Sequence, residues 1–309
     1  MMDSITDETI REIWRTHGLG AVWRIALAAS GASNLCLIVN DDRVIRFNTF
    51  DTTAPKFETE RVAYDLLAGS RLPVPSVIVL DASRRIVPYD FIILTRLPGA
   101  NLAESWRELA PAQVHDLALE AGRCLARLHA ITFPAFGKLR EHDAPRFHSW
   151  PDYFNDYARR YLSEAEQYGL LNYSLNTRLE HVLDRSQSLL TRVTRGILVH
   201  SDYHYENILQ HAGRLTGILD FEWALSGDPV YDFMSADVRE EQIPGSEAAF
   251  RAGYHSLRSF DLEHERRLAL YRLFLRLETA VMHARRGNPP GAQSALAAII
   301  HLLEIIEEK

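Results

Sequence analysis

The segment 196–233 constrains the fold most, because polar side chains interrupt apolar, strand-like sequence there. Asp202 and Asn207 bracket a short loop. The residues after the loop have the pattern of a hairpin, with a strand at 208–210, a turn at 211–214 and a returning strand at 215–219 ahead of Asp220. Folding this hairpin brings Asn207 and Asp220 together at its open end. We therefore expect these three polar groups to lie side by side.

The three groups suit a divalent metal ion. Proteins hold Mg²⁺ with one or two carboxylates or carbonyls, and water and substrate phosphates complete its coordination. We therefore predict that Asn207 and Asp220 bind Mg²⁺ beside the Asp202 carboxylate. An Asp followed by an Asn five residues later is, by itself, more typical of a turn. The prediction thus depends on the strand patterns around the pair.

The composition favours a folded, soluble chain of about two lobes. The 309 residues correspond to roughly two domains at about 150 residues each, and 47% hydrophobic with 24% charged residues is a globular composition. The net charge of −7 argues against general nucleic-acid binding and favours a cationic partner. Cys36 and Cys124 are too few for a disulfide framework, and we expect both to be buried as small hydrophobic residues.

No targeting or membrane segment is evident in the sequence. Residues 1–16 are acidic and helix-patterned, unlike a signal peptide. The longest apolar stretches, such as 21–29, are shorter than the ~20 residues of a membrane span. We therefore expect a cytoplasmic protein with no membrane partner, either a monomer or a dimer.

The N-terminal part has the pattern of a small antiparallel sheet with a helix before it. Ser4 precedes an amphipathic helix with Ile10, Ile13 and Trp14 on its apolar side, and Gly18 ends it. Five strand patterns follow, at 22–27, 35–39, 44–47, 76–80 and 91–94. The first three read as a meander, and five strands is a usual size for a sheet.

One main helix is predicted within this sheet region. Thr53 as N-cap and Pro55 in the first turn begin it, and it continues through Ala68. Its predicted inner side consists of Phe57, Val62, Leu66 and Leu67.

Beyond Leu97-Pro98-Gly99 the pattern becomes mostly helical. Residues 112–129 carry one apolar stripe, and the tail 263–308 is helical as well. We therefore predict an α+β fold of two lobes, with a small antiparallel-sheet N-lobe containing one main helix and a mostly helical C-lobe. The N-lobe would span residues 1–96 and the C-lobe 97–309, joined by a hinge near 95–99. A ligand would lie in their shared cleft.

The polar motif and its surroundings resemble the aminoglycoside phosphotransferase family, which includes choline-kinase-like and other small-molecule kinases. His200-Ser201-Asp202 with Asn207, followed by Asp220-Phe221, resembles the H-x-D-x-x-x-x-N catalytic loop and the metal-binding Asp of the protein-kinase fold. The likeness extends upstream to residues 30–34 and 60–67 and to LPVPSVIVL, FIILTRLPGANL and AGRCLARLHA, in the order of the family. It covers roughly residue 22 to the C-terminal helices and implies a two-lobed protein-kinase-like fold.

The resemblance implies a role for each matching residue. Asp202 would orient the acceptor hydroxyl and take its proton, while Asn207 and Asp220 would hold Mg²⁺ on the nucleotide phosphates. Arg46, positioned by Glu60, would contact the phosphate tail. Further nucleotide contacts would come from the phosphate-covering loop and the hinge, at Ser30, Gly31, Ser33, Asn34, Thr95 and Leu97.

Three departures from the protein-kinase pattern favour a small-molecule kinase. Glu222 follows Asp220-Phe221 where protein kinases have glycine, Ser201 replaces their arginine, and no Ala-Pro-Glu segment follows. Ser201 cannot pair with a phosphorylated activation loop as an arginine would. In addition, Arg46 stands at the strand position of the phosphate-binding lysine, and its planar fork does not simply replace an ammonium group.

Other polar residues of the motif have a structural interpretation. We interpret His200 as a buried residue that fixes the loop, and His129 as a core or helix-end residue and not a ligand. Asp228 and Asp232, in GDPVYD, match a family element that braces the catalytic loop.

The predicted activity is transfer of the γ-phosphate of ATP or GTP to a hydroxyl of a small molecule. The resemblance makes an aminoglycoside or related cationic antibiotic the first candidate acceptor, and hence antibiotic resistance the first candidate role. A metabolic kinase acting on a choline-like, amino-alcohol or sugar acceptor is the alternative within enzymes. A catalytically inactive nucleotide-binding module is the alternative outside them, although Asp202, Asn207 and Asp220 are all present.

Overall fold

A five-stranded antiparallel sheet organises the N-terminal third of the chain. The structure is a computed structural model that describes residues 5–28, 34–49, 55–139 and 147–307. The strands, in chain order, are β1 (Ile25–Leu27), β2 (Leu35–Val39), β3 (Arg43–Phe47), β4 (Val77–Asp81) and β5 (Phe91–Thr95). Their spatial order is β1-β2-β3-β5-β4 and every pairing is antiparallel, which confirms the predicted sheet and meander.

Helix α1 (Asp7–Thr16) covers one face of this sheet with its predicted apolar side. The Thr6 hydroxyl accepts a hydrogen bond from the Thr9 N–H at 3.2 Å, which makes Thr6 the N-cap. Ser4, the residue predicted to precede the helix, lies outside the described residues. The apolar side packs with sheet residues in one buried cluster that includes Ile10, Ile13, Trp14, Val39, Ile45, Phe47, Phe91 and Ile93.

Helix α2 (Lys56–Leu67) is the predicted main helix and shares a core with the opposite face of the sheet. Phe57, Tyr64 and Leu67 are buried with Ile92 and Leu94 of β5. The prediction that Leu66 faces inward is wrong, since 42% of it is exposed. Positions 57, 60, 63, 64 and 67 recur at helical spacing and form the buried stripe, so position 66 falls beside it. The predicted N-cap Thr53 lies outside the described residues.

The rest of the described chain is mostly helical, which confirms the predicted α+β class. Its helices are α3 (Leu102–Ser105), α4 (Pro111–Leu128), α5 (Trp150–Gln167), α6 (Tyr173–Arg185), α7 (Gln187–Leu190), α8 (Ala236–Gln242), α9 (Glu247–His255), α10 (His264–Arg285) and α11 (Pro289–Glu307). Its short strands are β6 (Ala100–Asn101), β7 (Thr132–Phe133), β8 (Gly137–Lys138), β9 (Gly196–Val199), β10 (Ile208–His211), β11 (Arg214–Ile218) and β12 (Leu225–Gly227). They form two small sheets, ordered β11-β10-β6 and β7-β9-β12-β8.

The helical tail is two helices, because Gly287 adopts a φ of 63° after α10 and Pro289 begins α11. Helix α11 is, within the described ranges, the helix whose length and hydropathy reach those of a membrane span. The expectation that every apolar stretch is too short for a span is therefore wrong for α11. Helix α11 packs against α10 through one buried stripe, which consists of Ala292, Ala295, Ile299 and Leu303.

The segment after β5 connects the sheet region to the helical region at the predicted hinge. Strand β6 follows it directly and pairs with β10. Gly99 has a φ of 115°, and a Cβ at this position would lie 2.4 Å from the carbonyl oxygen of Gln210. Only glycine therefore permits this close approach of the two chain segments.

Candidate active site

The loop after β9 carries Asp202 and is braced by the buried carboxylate of Asp232. The N–H groups of His200 and Ser201 donate to Asp232 at 2.9 and 2.6 Å. Ser201 has a φ of 72°, in the left-handed region, so the loop turns sharply just before Asp202. Asp232 therefore has the bracing role that was expected of it.

Two buried histidines support the same loop. His200 is fully buried, and its Nε2 lies 2.9 Å from the Leu219 carbonyl oxygen, which ties the loop to the end of the hairpin. His129 is also buried, with Nε2 2.9 Å from Asp232 Oδ2 and Nδ1 2.9 Å from the Tyr254 hydroxyl. His200 therefore fixes the loop as expected, and His129 is the expected core residue, with an additional contact to the bracing Asp232. Asp228 is buried as well and accepts hydrogen bonds from Arg267 and Tyr271.

Asp202 lies next to Asn207, as the motif predicts. The Asn207 carboxamide donates to the Asp202 backbone oxygen at 2.9 Å and to its Oδ2 at 3.1 Å. His204 Nε2 lies 3.2 Å from the other carboxylate oxygen, Oδ1. Partial burial raises the pKa of Asp202, but the hydrogen bond and charge of His204 outweigh it and hold that pKa below its ordinary value. The Asp202 side chain is 39% exposed, so it remains open to the cleft.

The hairpin forms with the predicted turn and brings its two polar ends together. Strands β10 and β11 pair antiparallel, with Ile208 opposite Ile218. The Leu219 N–H donates to the Asn207 carbonyl oxygen at 2.9 Å, so Asn207 lies beside the residue that precedes Asp220. Asp220 has a φ of 65° and its N–H donates to the Tyr64 hydroxyl at 3.2 Å. This turn of the backbone and its tie to α2 fix Asp220 at the end of the hairpin.

Arg46 connects the sheet, α2 and the hairpin. Its Nη1 donates to both oxygens of Glu60, at 2.6 and 2.8 Å, and its Nη2 donates to Asp220 Oδ1 at 3.0 Å. Burial raises the pKa of Glu60 to about 7, and the Arg46 charge opposes that rise. The Tyr64 hydroxyl also donates to Glu60, at 2.8 Å. The structure thus brings Arg46, Glu60 and Asp220 into one cluster, in which Arg46 and Glu60 are buried and Asp220 is partly exposed.

Glu222 belongs to the same cluster. It is 5% exposed and accepts a hydrogen bond from the Asn34 carboxamide at 3.0 Å. Lys56 Nζ lies 3.4 Å from Glu222 Oε1, and Arg46 Nη2 lies 3.6 Å from Oε2. Neither Glu222 nor Lys56 is among the functional residues predicted from the sequence. Lys56 occupies an ordinary helix-start position, and no local pattern reports a contact with a residue 166 positions away.

Of the remaining predicted nucleotide contacts, those that the structure describes do not belong to the Arg46 cluster. Ser30, Gly31 and Ser33 lie outside the described residues. Thr95 ends β5, and its hydroxyl accepts from the Ser76 N–H at 2.9 Å, while Leu97 is half-buried in the hinge. Arg46 pairs with Ile92 on β5, so Thr95 is three positions, or about 10 Å, further along that strand.

The polar groups at the hairpin end fit a magnesium ion. Asn207 and Asp220 supply one carboxamide and one carboxylate, and Mg²⁺ is normally held by such a small protein set together with phosphate oxygens and water. Within the described ranges, no group of three or more His, Cys, Asp and Glu side chains is arranged to hold a metal ion. A site with few protein ligands suits an ion that arrives with a phosphate ligand.

The loop of Asp202, the hairpin end with Asn207 and Asp220, and the nearby Arg46–Glu60 pair have the arrangement expected of a phosphotransferase of the protein-kinase-like class. Comparison with known families assigns the chain within that class. Residues 24–271 match the model of the phosphotransferase enzyme family, APH. The chain belongs to this family, which confirms the predicted family and the predicted kind of enzyme, a small-molecule O-phosphotransferase.

The relatives of the chain are distant. It is 23% identical over 246 residues to hygromycin-B 4-O-kinase of Escherichia coli, a match that covers 79% of this chain and 69% of that one. It is 24% identical over 188 residues to acyl-CoA dehydrogenase family member 10 of Mus musculus, which covers 58% of this chain. The chain spans only 16% of that mouse protein's length.

A solved structure shows the same fold. It is a thermostable mutant of the aminoglycoside phosphotransferase APH(4)-Ia in a ternary complex with AMP-PNP and hygromycin B. Its TM-score is 0.73 at 19% identity, and the match covers 96% of this chain and 98% of that one. The two-lobed protein-kinase-like architecture is therefore confirmed.

Proposed function

We propose that the chain transfers the γ-phosphoryl group of ATP or GTP to a hydroxyl of a small molecule, with an aminoglycoside or a related antibiotic as acceptor. The observation that carries the proposal is the convergence of Asp202, Asn207 and Asp220 at one end of the hairpin, next to Arg46. Residues 1–96 would bind the nucleotide, and residues 97–309 would carry the catalytic loop and the acceptor site. A cytoplasmic location would supply the nucleoside triphosphate.

Asp202 is the proposed general base. It is partly exposed, its pKa is lowered, and Asn207 and His204 hold both of its carboxylate oxygens. A carboxylate in this state can orient an acceptor hydroxyl and accept its proton while the oxygen attacks the γ-phosphorus. Little covalent assistance is needed, because phosphoryl transfer depends mainly on in-line positioning and charge neutralisation.

Asn207 and Asp220 are the proposed magnesium ligands, and Arg46 the proposed phosphate contact. When bound, Mg²⁺ would neutralise charge on the nucleotide phosphates. Glu60 and Asp220 hold the Arg46 guanidinium at the boundary of the two lobes, at the position where the family resemblance places the phosphate tail. Asn34, Thr95 and Leu97 complete the proposed nucleotide contacts.

The acceptor class rests on the relatives. One relative is a hygromycin-B 4-O-kinase, and the other, APH(4)-Ia, is an aminoglycoside phosphotransferase solved with hygromycin B. The negative net charge of the chain suits a cationic acceptor of this kind. The chain is less than 25% identical to each of these two proteins. We therefore propose the substrate class and not hygromycin B itself.

A nucleoside-triphosphate consumption screen tests the proposal. ATP and GTP are each offered with aminoglycosides, macrolides, peptide antibiotics, choline and sugars, and a susceptible bacterial host expressing the chain is scored for resistance. Turnover with an aminoglycoside, lost in D202N, would support the proposed activity. Turnover only with choline or a sugar would assign a metabolic kinase instead, and Mg²⁺-dependent nucleotide binding without turnover on any acceptor would assign an inactive binding module.

A further inference from the structure

Three donors from three different elements converge on the single carboxylate of Glu222. Asn34 lies just before β2, Arg46 on β3 and Lys56 at the start of α2, whereas Glu222 follows the hairpin in the helical region. Asn34 and Arg46 are both proposed nucleotide contacts. The Glu222 carboxylate therefore lies where a nucleotide phosphate would contact these two residues. Lys56 contacts the same carboxylate.

The contacts of Glu222 with the two cations are loose. Charge-assisted N–H···O hydrogen bonds are usually about 2.7–2.9 Å long, whereas Lys56 Nζ is 3.4 Å and Arg46 Nη2 is 3.6 Å from the carboxylate oxygens. Burying an ammonium group is costly unless it is well paired, and the Lys56 side chain is only 4% exposed. Within the described part of the chain, the buried ammonium of Lys56 therefore has a loose ionic contact with Glu222 and lies 4.9 Å from the centre of the Trp223 ring. A stronger anion, such as a phosphate, would pair with it better.

Both terminal guanidinium nitrogens of Arg46 are already hydrogen-bonded, so a nearby lysine could serve as a further phosphate contact. Its Nη1 is taken up by both oxygens of Glu60, and its Nη2 by Asp220. A guanidinium is a planar fork of fixed geometry, while an ammonium on a flexible stem is a compact charge that can follow a phosphate oxygen. Lys56 supplies such an ammonium within the same cluster, since both cations lie near Glu222.

We propose that Lys56 is a phosphate-binding residue for the nucleoside triphosphate, and that Glu222 holds its position as a substitute anion until the nucleotide arrives. The proposal rests on the proposed function, because it concerns the nucleotide of that reaction. On binding, the nucleotide phosphate displaces the Glu222 carboxylate from Lys56. No covalent step is involved.

Trp223 provides a direct reporter of this exchange. Lys56 Nζ lies 4.9 Å and Lys138 Nζ 5.1 Å from the centre of its ring. A shift of Lys56 toward a phosphate changes the charge beside the indole and therefore its fluorescence. Lys138 is the matched control, because it lies near the same ring but donates to the Trp223 carbonyl oxygen, at 3.1 Å, and not to Glu222.

The experiment compares wild type, Lys56→Met, Lys56→Arg and Lys138→Met. Each is titrated with ATP, ADP and adenosine, with binding followed by calorimetry and by tryptophan fluorescence, and with Trp223→Phe as the spectral control. We expect Lys56→Met to weaken ATP and ADP binding by about 10- to 100-fold, the range of a hydrogen bond to a charged group, and to leave adenosine binding unchanged. Lys56→Arg keeps the charge but not the compact ammonium, so it should retain only part of the affinity, whereas Lys138→Met should retain all of it.

A second variant tests the role of Glu222 without Mg²⁺. In EDTA, Glu222→Gln should bind ADP several-fold more tightly than wild type, since the competing charge is gone. This measurement tests the proposal even if the Lys56→Met variant does not fold. Unchanged or weaker ADP binding by Glu222→Gln in EDTA would overturn the substitute-anion role.

The outcomes separate this inference from the proposed function. If wild type binds ATP but Lys56→Met binds it equally well, or loses adenosine to the same extent, Lys56 is not a phosphate contact and the proposed function is untouched. If wild type binds neither ATP nor GTP, both proposals are wrong.

Discussion

Arg46 Nη2 donates a hydrogen bond to Asp220 Oδ1 at 3.0 Å, although the two residues are 174 positions apart in the chain. The same guanidinium holds Glu60 through Nη1. A single side chain thereby connects the sheet, α2 and the end of the hairpin. The relative placement of the proposed phosphate contact and the proposed metal ligand depends on this one group.

Replacing Arg46 should therefore be costly to stability. Arg46→Met leaves Glu60 buried without its partner, and breaking a buried ion pair in this way costs about 3–5 kcal/mol. Chemical denaturation measures the loss. The double variant Arg46→Met/Glu60→Met is the control, because it removes both charges and should recover part of the stability. If the double variant loses more free energy of unfolding than the two single variants lose together, this account is contradicted.

Asp220→Ala should remove most of the gain in nucleotide affinity that Mg²⁺ provides. Loss of a residue that merely orients a metal ligand costs about 10- to 100-fold in metal affinity, so loss of a ligand should cost at least as much. ADP binding is measured in Mg²⁺ and in EDTA. The affinity gained from Mg²⁺ in wild type should largely disappear in the variant. Equal Mg²⁺ dependence in both proteins would exclude Asp220 as a ligand.

Asp202→Asn should abolish most turnover while nucleotide binding stays intact. The amide keeps the size of the side chain and one accepting oxygen for the loop, but it cannot accept the acceptor's proton. General-base catalysis contributes on the order of 10²- to 10⁴-fold, so kcat should fall by about that factor. Glu206→Gln is the control, since Glu206 lies in the same loop and its side chain is 61% exposed. A variant that retains most of its kcat would remove Asp202 from the proposed role.

The local parts of this fold were predictable because their signals are local. The hairpin follows from strand and turn patterns in 208–219, and the structure pairs Ile208 with Ile218. The main helix was also predicted, and Phe57 and Leu67 lie on its buried side as expected, but Leu66 does not. Val62 and Leu66 were weighed as apolar residues, whereas the actual stripe includes Ala63 and Tyr64 and also buries Glu60. Burial of a carboxylate on that stripe depends on Arg46, which comes from another element.

The unpredicted part of the site is the part made by contacts between distant segments. Lys56 and Glu222 meet only because α2 and the hairpin end pack on the same side of the sheet region. Neither residue has a spacing or neighbour that indicates the contact. The family motif positioned Asp202, Asn207 and Asp220, because the motif records one continuous segment. It does not record which side chains from elsewhere complete their surroundings.

The brace of the catalytic loop should be measurable as stability. Asp232 is buried and accepts from the N–H groups of His200 and Ser201. Asp232→Ala leaves these two donors and Nε2 of His129 without their partner, and each such buried group costs about 1–3 kcal/mol. We expect a total loss of several kcal/mol by thermal or chemical denaturation. Asp237→Ala is the control, since Asp237 is nearby in sequence and its side chain is 58% exposed. Equal stability of the two variants would contradict the bracing role.

His204 should set the acidic limit of activity. Its Nε2 lies 3.2 Å from Asp202 Oδ1, and its charge helps to hold the pKa of Asp202 below the ordinary value. The pKa of His204 is in turn raised, since Asp202 and Glu206 outweigh the effect of burial, so the imidazolium is present at acidic pH. Asp202 must be ionised to accept a proton, and activity therefore falls as the pH drops through its pKa.

His204→Asn removes that positive charge and keeps a polar side chain of similar reach. The pKa of Asp202 should then rise toward its ordinary value, so the acidic limb of kcat/KM against pH should move to higher pH. His115→Asn is the control, because His115 is on α4 with its side chain 62% exposed. The profile is measured for wild type and both variants at constant ionic strength. An acidic limb that does not move in His204→Asn, or moves equally in His115→Asn, would show that His204 does not tune Asp202.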